Sequence, residues 1–257
     1  MNIDAYLKRI NYDGPLEATA ETLRQLQLAH LRSVPFENLS IHAHEPIVLN
    51  DDALFSKIVD SRRGGFCYEA NGLFAALLRA LDFDVTMLSA GVANKEGDFG
   101  PDFDHMALMV KLEDLWLADV GFGDSFLEPL LLDNNGEQAQ SNQAFKITHD
   151  NYYRILWRRI REGEWTPQYR FTLQSYSYPD YEEMCRFHQT SPDSHFTKNV
   201  ICSRVTEDGR ITLSGMKLIT TSGSQRHERT LSSQDEYDRI LRDQFGVVMQ
   251  NQPQKGT

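Results

Sequence analysis

Arg62-Arg63-Gly64-Gly65-Phe66-Cys67-Tyr68-Glu69-Ala70-Asn71-Gly72-Leu73-Phe74-Ala75-Ala76-Leu77-Leu78-Arg79-Ala80-Leu81 is the stretch on which the reading of this chain turns. Leu73, Phe74, Leu77, Leu78 and Leu81 keep a helical period, so a buried helix follows the glycine pair and Cys67 stands at its start. A cysteine there faces N–H groups with no intrahelical acceptor and the positive end of the helix dipole. Such a setting lowers a thiol pKa from about 8.5 to roughly 3.5–7.5, so the sequence predicts a reactive thiolate. The same N–H groups would hold the oxyanion of an acyl-transfer intermediate. Gly64 and Gly65 are expected to permit a tight backbone turn and to keep bulk away from the sulfur.

Upstream of this stretch the chain reads helical. Thr19 to Ser33 carries Leu23, Leu26 and Leu31 and should stop before Pro35, and Asn50-Asp51-Asp52 caps a short helix with Leu54, Ile58 and Val59 inward. Near residue 84 the texture changes. Val85 to Val92, Met106 to Leu112, Leu115 to Val120, Asn151 to Ile160 and Gln168 to Ser175 are β-branched, aromatic and alternating, which predicts an antiparallel sheet or barrel. The last part mixes strands (Val200 to Val205, Arg210 to Leu213, Met216 to Thr220) with a helix opened by Ser233-Gln234-Asp235-Glu236, a capping-box pattern. Gln250 to Thr257 reads as disordered.

The chain has 257 residues, 40% hydrophobic and 25% charged, enough for a substantial core. Its formal net charge of −11 argues against nucleic acid or an anionic membrane as main partner, although a local basic patch could still hold a phosphorylated ligand. Met1 to Tyr6 has no basic and apolar run of a signal peptide, and no segment approaches the roughly 18 apolar residues of a membrane span. Three cysteines without CxxC spacing fit neither a disulfide framework nor a metal site, and the expected location is the reducing cytoplasm. Cys185 and Cys202 lack the setting of Cys67 and read as plain core.

His105 lies at the entry to one strand and Asp119 at the exit of the next. The aspartate inside Leu117-Ala118-Asp119-Val120 needs a buried partner, and an imidazole would serve, its tautomer fixed as the orienting acid of a triad fixes it. Loop length decides whether the two share a face. A loop of Glu113-Asp114 pairs 119 with 108 and puts them on opposite faces. A loop of Leu112 to Asp114 pairs 119 with 107 and makes 105 a same-face diagonal neighbour. A working triad therefore requires the odd-length loop or a bulge.

Three segments give the chain a likeness to a known family. Val34-Pro35-Phe36-Glu37-Asn38-Leu39, Arg63-Gly64-Gly65-Phe66-Cys67 and Asp119-Val120-Gly121-Phe122-Gly123, with the order Cys, His, Asp, resemble the arylamine N-acetyltransferases. The resemblance implies an α+β fold with a cysteine-protease-like catalytic core. Its parts would be an N-terminal helical bundle (1–84), a central antiparallel β-barrel (85–195) and a C-terminal α/β lid (196–257). It implies acetyl-CoA as acetyl donor, no metal, and arylamines, arylhydrazines or arylhydroxylamines as acceptors. Cys67 would be the acylated nucleophile, His105 its base and Asp119 the orienting carboxylate. Glu37 and Arg63 would form a buried ion pair near the nucleophile, and Phe36, Phe122 and Phe196 would line the acceptor pocket. Lys198, Arg204, Lys217, Arg226 and Arg229 are basic candidates for the coenzyme phosphates, none assigned.

The mechanism so implied is ping-pong through an acetyl-cysteine. Cys, His and Asp also serve thiol hydrolases and transglutaminase-like amidases, and an amide synthase with a larger acyl group fits the same fold. A non-enzymatic binding protein would require a broken triad, and all three members are present. A homo-oligomer is compatible with the sequence.

Overall fold

The computed structural model describes residues 1–150 and 152–249; the tail read as disordered lies outside the described residues. The chain opens with α1 (Ile3–Arg9), α2 (Ala20–Ser33), α3 (Leu39–His42) and α4 (Asp51–Phe55), which runs into a single π turn (Ser56–Asp60), then α5 (Cys67–Ala80). Thr19 Oγ1 caps α2 through the Thr22 N–H and Asn50 Oδ1 caps α4 through the Ala53 N–H, as the sequence predicts. The helix α5 is the axis of this part: every residue from Cys67 to Leu78 is buried. It packs on α1 and α4 and on the first strands of the sheet, so one core joins Tyr6, Leu23, Leu54, Phe74 and Leu77 to Met106 and Leu108.

The strands are β1 (Phe36–Glu37), β2 (Asp84–Val92), β3 (His105–Lys111), β4 (Leu115–Ala118), β5 (Leu130–Leu131), β6 (Gln138–Gln140), β7 (Gln143–Asp150), β8 (Tyr153–Ile160) and β9 (Thr166–Phe171), followed by β10 (Ile201–Val205), β11 (Gly209–Ser214), β12 (Lys217–Ser222) and β13 (Gln225–Thr230). Eight of them form an antiparallel sheet in the order β5-β4-β3-β2-β9-β8-β7-β6. Its two edge strands are joined through side chains. Gln138 exchanges both amide hydrogen bonds with the backbone of Leu131 at 2.8 and 2.9 Å. Gln140 accepts from the Leu127 and Glu128 N–H groups and donates to the Glu128 carbonyl. Two glutamines thus stand in for a backbone ladder and close the barrel.

Alternation sorts the strands by face. Met106, Leu108 and Val110 face α5, whereas Ala107 joins Leu88, Leu117, Phe145, Tyr169 and Phe171 inside the barrel. The remaining helices are α6 (Tyr178–Thr190), α7 (His195–Lys198) and α8 (Gln234–Phe245). β10 to β13 form a second antiparallel sheet, and β1 pairs with β10 (Phe36 with Ser203, Glu37 with Cys202), stitching the lid to the segment that carries Phe36 and Glu37. Tyr237, Ile240, Leu241 and Phe245 of α8 cover this sheet. The helix is capped by Ser233 and ended by Gly246 in the left-handed region, φ 69°. Helical bundle, antiparallel barrel and α/β lid follow one another as expected. No helix among the described residues is long and apolar enough to cross a membrane.

Candidate active site

The loop before α5 is shaped by contact rather than by a turn. Neither Gly64 nor Gly65 has a positive φ, so the expected reason for the pair is corrected. A Cβ on Gly64 would lie 1.9 Å from the Pro35 carbonyl oxygen, and one on Gly65 would lie 2.6 Å from Cβ of Glu69. The glycines let this segment lie against Pro35–Glu37, where the Glu37 N–H donates to the Gly65 carbonyl at 3.0 Å. Glu69 then reaches back to the Phe66 N–H at 3.2 Å and is itself held by Lys57 Nζ at 2.6 Å. Burial pushes the Glu69 carboxyl up despite that lysine.

Glu37 and Arg63 form a buried ion pair. Arg63 Nε donates to Glu37 Oε1 at 2.9 Å, its other nitrogens reach Ser40 Oγ and Glu45 Oε2, and Glu37 Oε2 accepts the Leu39 N–H at 2.6 Å. Burial alone would raise the Glu37 carboxyl; the charges of Lys57 and Arg63 and the Leu39 N–H outweigh it and hold it below the ordinary range. With these bonds satisfied, the pair fixes the route of both segments beside Cys67.

The β3–β4 hairpin has the odd-length loop. Leu108 pairs with Ala118 and Lys111 with Leu115, leaving Leu112 to Asp114 as the turn. Asp119 therefore falls opposite Ala107, and His105 Nε2 lies 2.8 Å from Asp119 Oδ2, both side chains buried. With the carboxylate as acceptor the proton sits on Nε2, so Nδ1 is the free acceptor. Asp119 is held from every side. Oδ2 also accepts Tyr169 Oη at 3.1 Å, Oδ1 accepts Asn71 Nδ2 and the Gly121 N–H at 2.8 Å each, and the Asp119 N–H donates to Gln27 Oε1.

Asn71 connects this dyad to Cys67. It lies one helical turn along α5 on the same face. Its Nδ2 donates to the Met106 carbonyl at 2.6 Å as well as to Asp119, and its Oδ1 accepts the Val120 N–H at 2.8 Å. The Cys67 face of α5 is thereby pinned to the strand ends that carry His105 and Asp119. Gly121 completes the approach, since a Cβ there would lie 2.7 Å from Cys67 Cα. Sequence reading missed Asn71, Tyr169, Gln27 and Glu69. For Asn71 the signal was there, an amide on an otherwise apolar helix one turn from the cysteine; Tyr169 comes from β9 and has no local signal.

Burial works against the predicted thiolate. Cys67 is 3% exposed, and burial pushes its thiol well up; a hydrogen bond from the Met106 backbone offsets this only in part, and the charge of Asp104 adds to the rise. Burial therefore disfavours a thiolate here and favours a proton acceptor inside the site. Cys185 and Cys202 are free and buried, as plain core residues are.

A family model described as N-acetyltransferase matches residues 19–254. An arylamine N-acetyltransferase of Mycolicibacterium smegmatis is 36% identical over 96% of this chain and 92% of its own length. The chain belongs to the arylamine N-acetyltransferase family. Among solved structures, the Mycobacterium marinum arylamine N-acetyltransferase in complex with CoA aligns with a TM-score of 0.88 at 30% identity, covering 96% of this chain and 93% of that one. A proansamycin X synthase of Amycolatopsis mediterranei is also 30% identical, over 93% of this chain and 95% of its own.

Phe36, Phe122 and Phe196 are half-buried. Phe122 meets the His105 ring edge-on at 5.1 Å, Phe36 lies 6.2 Å from Phe196, and Phe196 packs on Phe66 at 5.4 Å. Beyond Phe122 opens a cavity of about 790 Å³ between barrel and lid, where Arg158, Arg161 and Arg210 face Asp124, Glu207 and Asp208. Arg158 and Arg210 both reach the exposed Asp124 carboxylate, at 3.1 and 3.3 Å. None of the five basic residues singled out from the sequence lines this cavity. Lys217 and Arg226 pair with Glu228, Arg229 with Glu236, Lys198 bonds the Asp193 carbonyl and Arg204 bonds helix carbonyls. No group of three metal-ligating side chains occurs among the described residues.

Proposed function

We propose that this chain transfers acetyl groups from acetyl-CoA to arylamines by a ping-pong mechanism on Cys67. The observation that carries the reading is the His105–Asp119 contact at 2.8 Å, pinned through Asn71 to the helical turn that bears the cysteine. His105, oriented by Asp119, takes the Cys67 proton on Nδ1, which supplies the internal acceptor. The sulfur attacks the acetyl carbon of the thioester, the oxyanion forming near the N–H groups of the first turn of α5. The carbon–sulfur bond to coenzyme A breaks, and its thiolate leaves with the proton held on His105. The acceptor nitrogen then attacks the acetyl-cysteine, His105 removes its proton, and the Cys67 sulfur departs.

The large cavity is the proposed seat of the coenzyme, where Arg158 and Arg210 can turn from Asp124 to phosphate oxygens. Aromatic amines are uncharged at neutral pH, so Phe36, Phe122 and Phe196 can bind the ring without desolvating a cation. Hydrazines carry the same ring and an equally small nucleophile and are proposed as further acceptors. Three free cysteines favour a reducing, cytoplasmic setting. The test is intact-mass spectrometry after mixing with acetyl-CoA: one acetyl group should appear on Cys67 and leave when an aniline is added. Turnover retained by Cys67→Ala would refute the reading. The relative named as a synthase favours a second one, another acyl donor on the same cysteine; a larger mass on Cys67 in preference to acetyl would select it.

A further inference from the structure

Arg62 and Arg63 begin the nucleophile loop together but part at once. Arg63 turns in to Glu37, and Arg62 turns out into a pocket of about 220 Å³ whose walls include Arg9, Arg32, Arg204, Arg242 and Asp243. Helices α1, α2 and α8, strand β10 and the nucleophile loop thus bring five arginines to one place in a chain of net charge −11. Two of the five are framework. Arg9, 4% exposed, donates to the carbonyls of Ile58, Ser33, Arg62 and Arg63 at 2.7–3.3 Å. Arg204 donates to those of Arg32 and Gln244 at 2.6 and 2.7 Å, and its Nε–H has no partner among the described residues. Several of these carbonyls belong to the last turns of α2 and α8, so both side chains cap helix C-termini.

The other three, Arg32, Arg62 and Arg242, are exposed. Of these only Arg242 meets a carboxylate among the described residues, Asp243 Oδ1 at 3.1 Å. A helix C-terminus carries about half a negative charge, so two of them with Asp243 offset about two of the positive charges and leave an excess of about three. Burial, and then the facing charge of Arg62, pull Arg9 down to about 10 against the opposing influence of Tyr6, with Arg204 adding to the fall.

The pocket is smaller than the roughly 300–1,000 Å³ of sites for drug-sized ligands, and guanidinium forks match tetrahedral oxyanions bidentately. We propose that it is a second ligand site, separate from the acetyl-transfer site, that binds a phosphate or pyrophosphate group. Arg32, Arg62 and Arg242 are its donors, and Arg9 and Arg204 are fixed charge behind them. Because Arg9 Nη2 bonds both the Arg62 and Arg63 carbonyls, an anion held here also steadies the loop that leads to Cys67.

The experiment is a titration of the full chain with inorganic phosphate and with pyrophosphate at constant ionic strength, followed by calorimetry and thermal unfolding, with and without saturating coenzyme A. Pyrophosphate should bind saturably at one site, raise the melting temperature and do so equally when coenzyme A is present. Arg32→Ala/Arg62→Ala should weaken it by at least about tenfold, since each change removes a charge-assisted contact. Arg32→Glu, a single exposed change, should do the same if the double variant folds poorly. No saturable binding, unchanged affinity in the variants, or loss of binding once coenzyme A fills its cleft would each overturn the proposal.

Discussion

One turn below Cys67, Asn71 spends both ends of its amide on holding three segments together. Its donor serves Met106 and Asp119, and its acceptor serves Val120. Asn71→Ala should leave the helix intact and let the dyad drift, lowering kcat/KM by about 10²-fold, because a displacement of about 1 Å at a reacting centre costs that much. Asn71→Asp should do worse, facing Asp119 with a second carboxylate. Steady-state kinetics beside circular dichroism checks both, and full activity in Asn71→Ala would remove its positioning role. At this scale the sequence exposed residues whose type and neighbours are unusual: a cysteine after two glycines, an aspartate in an apolar strand. It concealed those whose importance is a long-range contact, such as Tyr169. It could not weigh the burial of the Cys67 thiol, because a helix start is local and visible whereas burial is produced by the whole fold.

Among the elements, the β3–β4 hairpin sets the chemistry through the parity of its loop. Deleting Trp116 from β4, behind an unchanged three-residue turn, should move Asp119 opposite Leu108 and onto the face away from His105, exchanging Leu117 and Ala118 between cores as well. Turnover should fall below about 10⁻³ of the parent, the order seen when a triad loses its orienting acid; a deletion variant with near-parental rate would show that parity does not govern the pair. The sequence left two registers open, and only pairing chose between them. The helix α6 went unread although its signals were local: the Ser177 N–H and hydroxyl both donate to Asp180 Oδ2, Pro179 sits in its first turn, and Tyr181, Cys185 and His188 recur on the buried face. Its otherwise polar surface masked the period.

For the whole molecule, buried titratable groups set both pH limits. His30 is fully buried against Tyr6 and Phe74, and burial followed by the Arg9 charge lowers it to about 3. The unfolded chain therefore binds a proton that the fold does not, and stability should fall by about 1.4 kcal/mol per pH unit as pH drops from about 6.5 towards 3. Cys185 works in the opposite sense: burial raises it to about 12, so stability should fall as pH rises past about 8.5, where the unfolded thiol ionises. Urea midpoints across pH should show both slopes, with His30→Gln flattening the acid limb and Cys185→Ala the alkaline one; unchanged slopes would mean that other groups control them. The three-part architecture was legible from the change of texture near residue 84, but the closure of the barrel was not, because it depends on two amides rather than on a strand. That closure gives the protein a chemical age. Deamidation of Gln138 or Gln140 keeps the acceptor, loses the donor and sets a negative oxygen against the Leu131 or Glu128 carbonyl. Old molecules should open first at this seam, and Gln138→Glu/Gln140→Glu should imitate them, with faster amide exchange at Leu127, Glu128 and Leu131 while α5 stays protected.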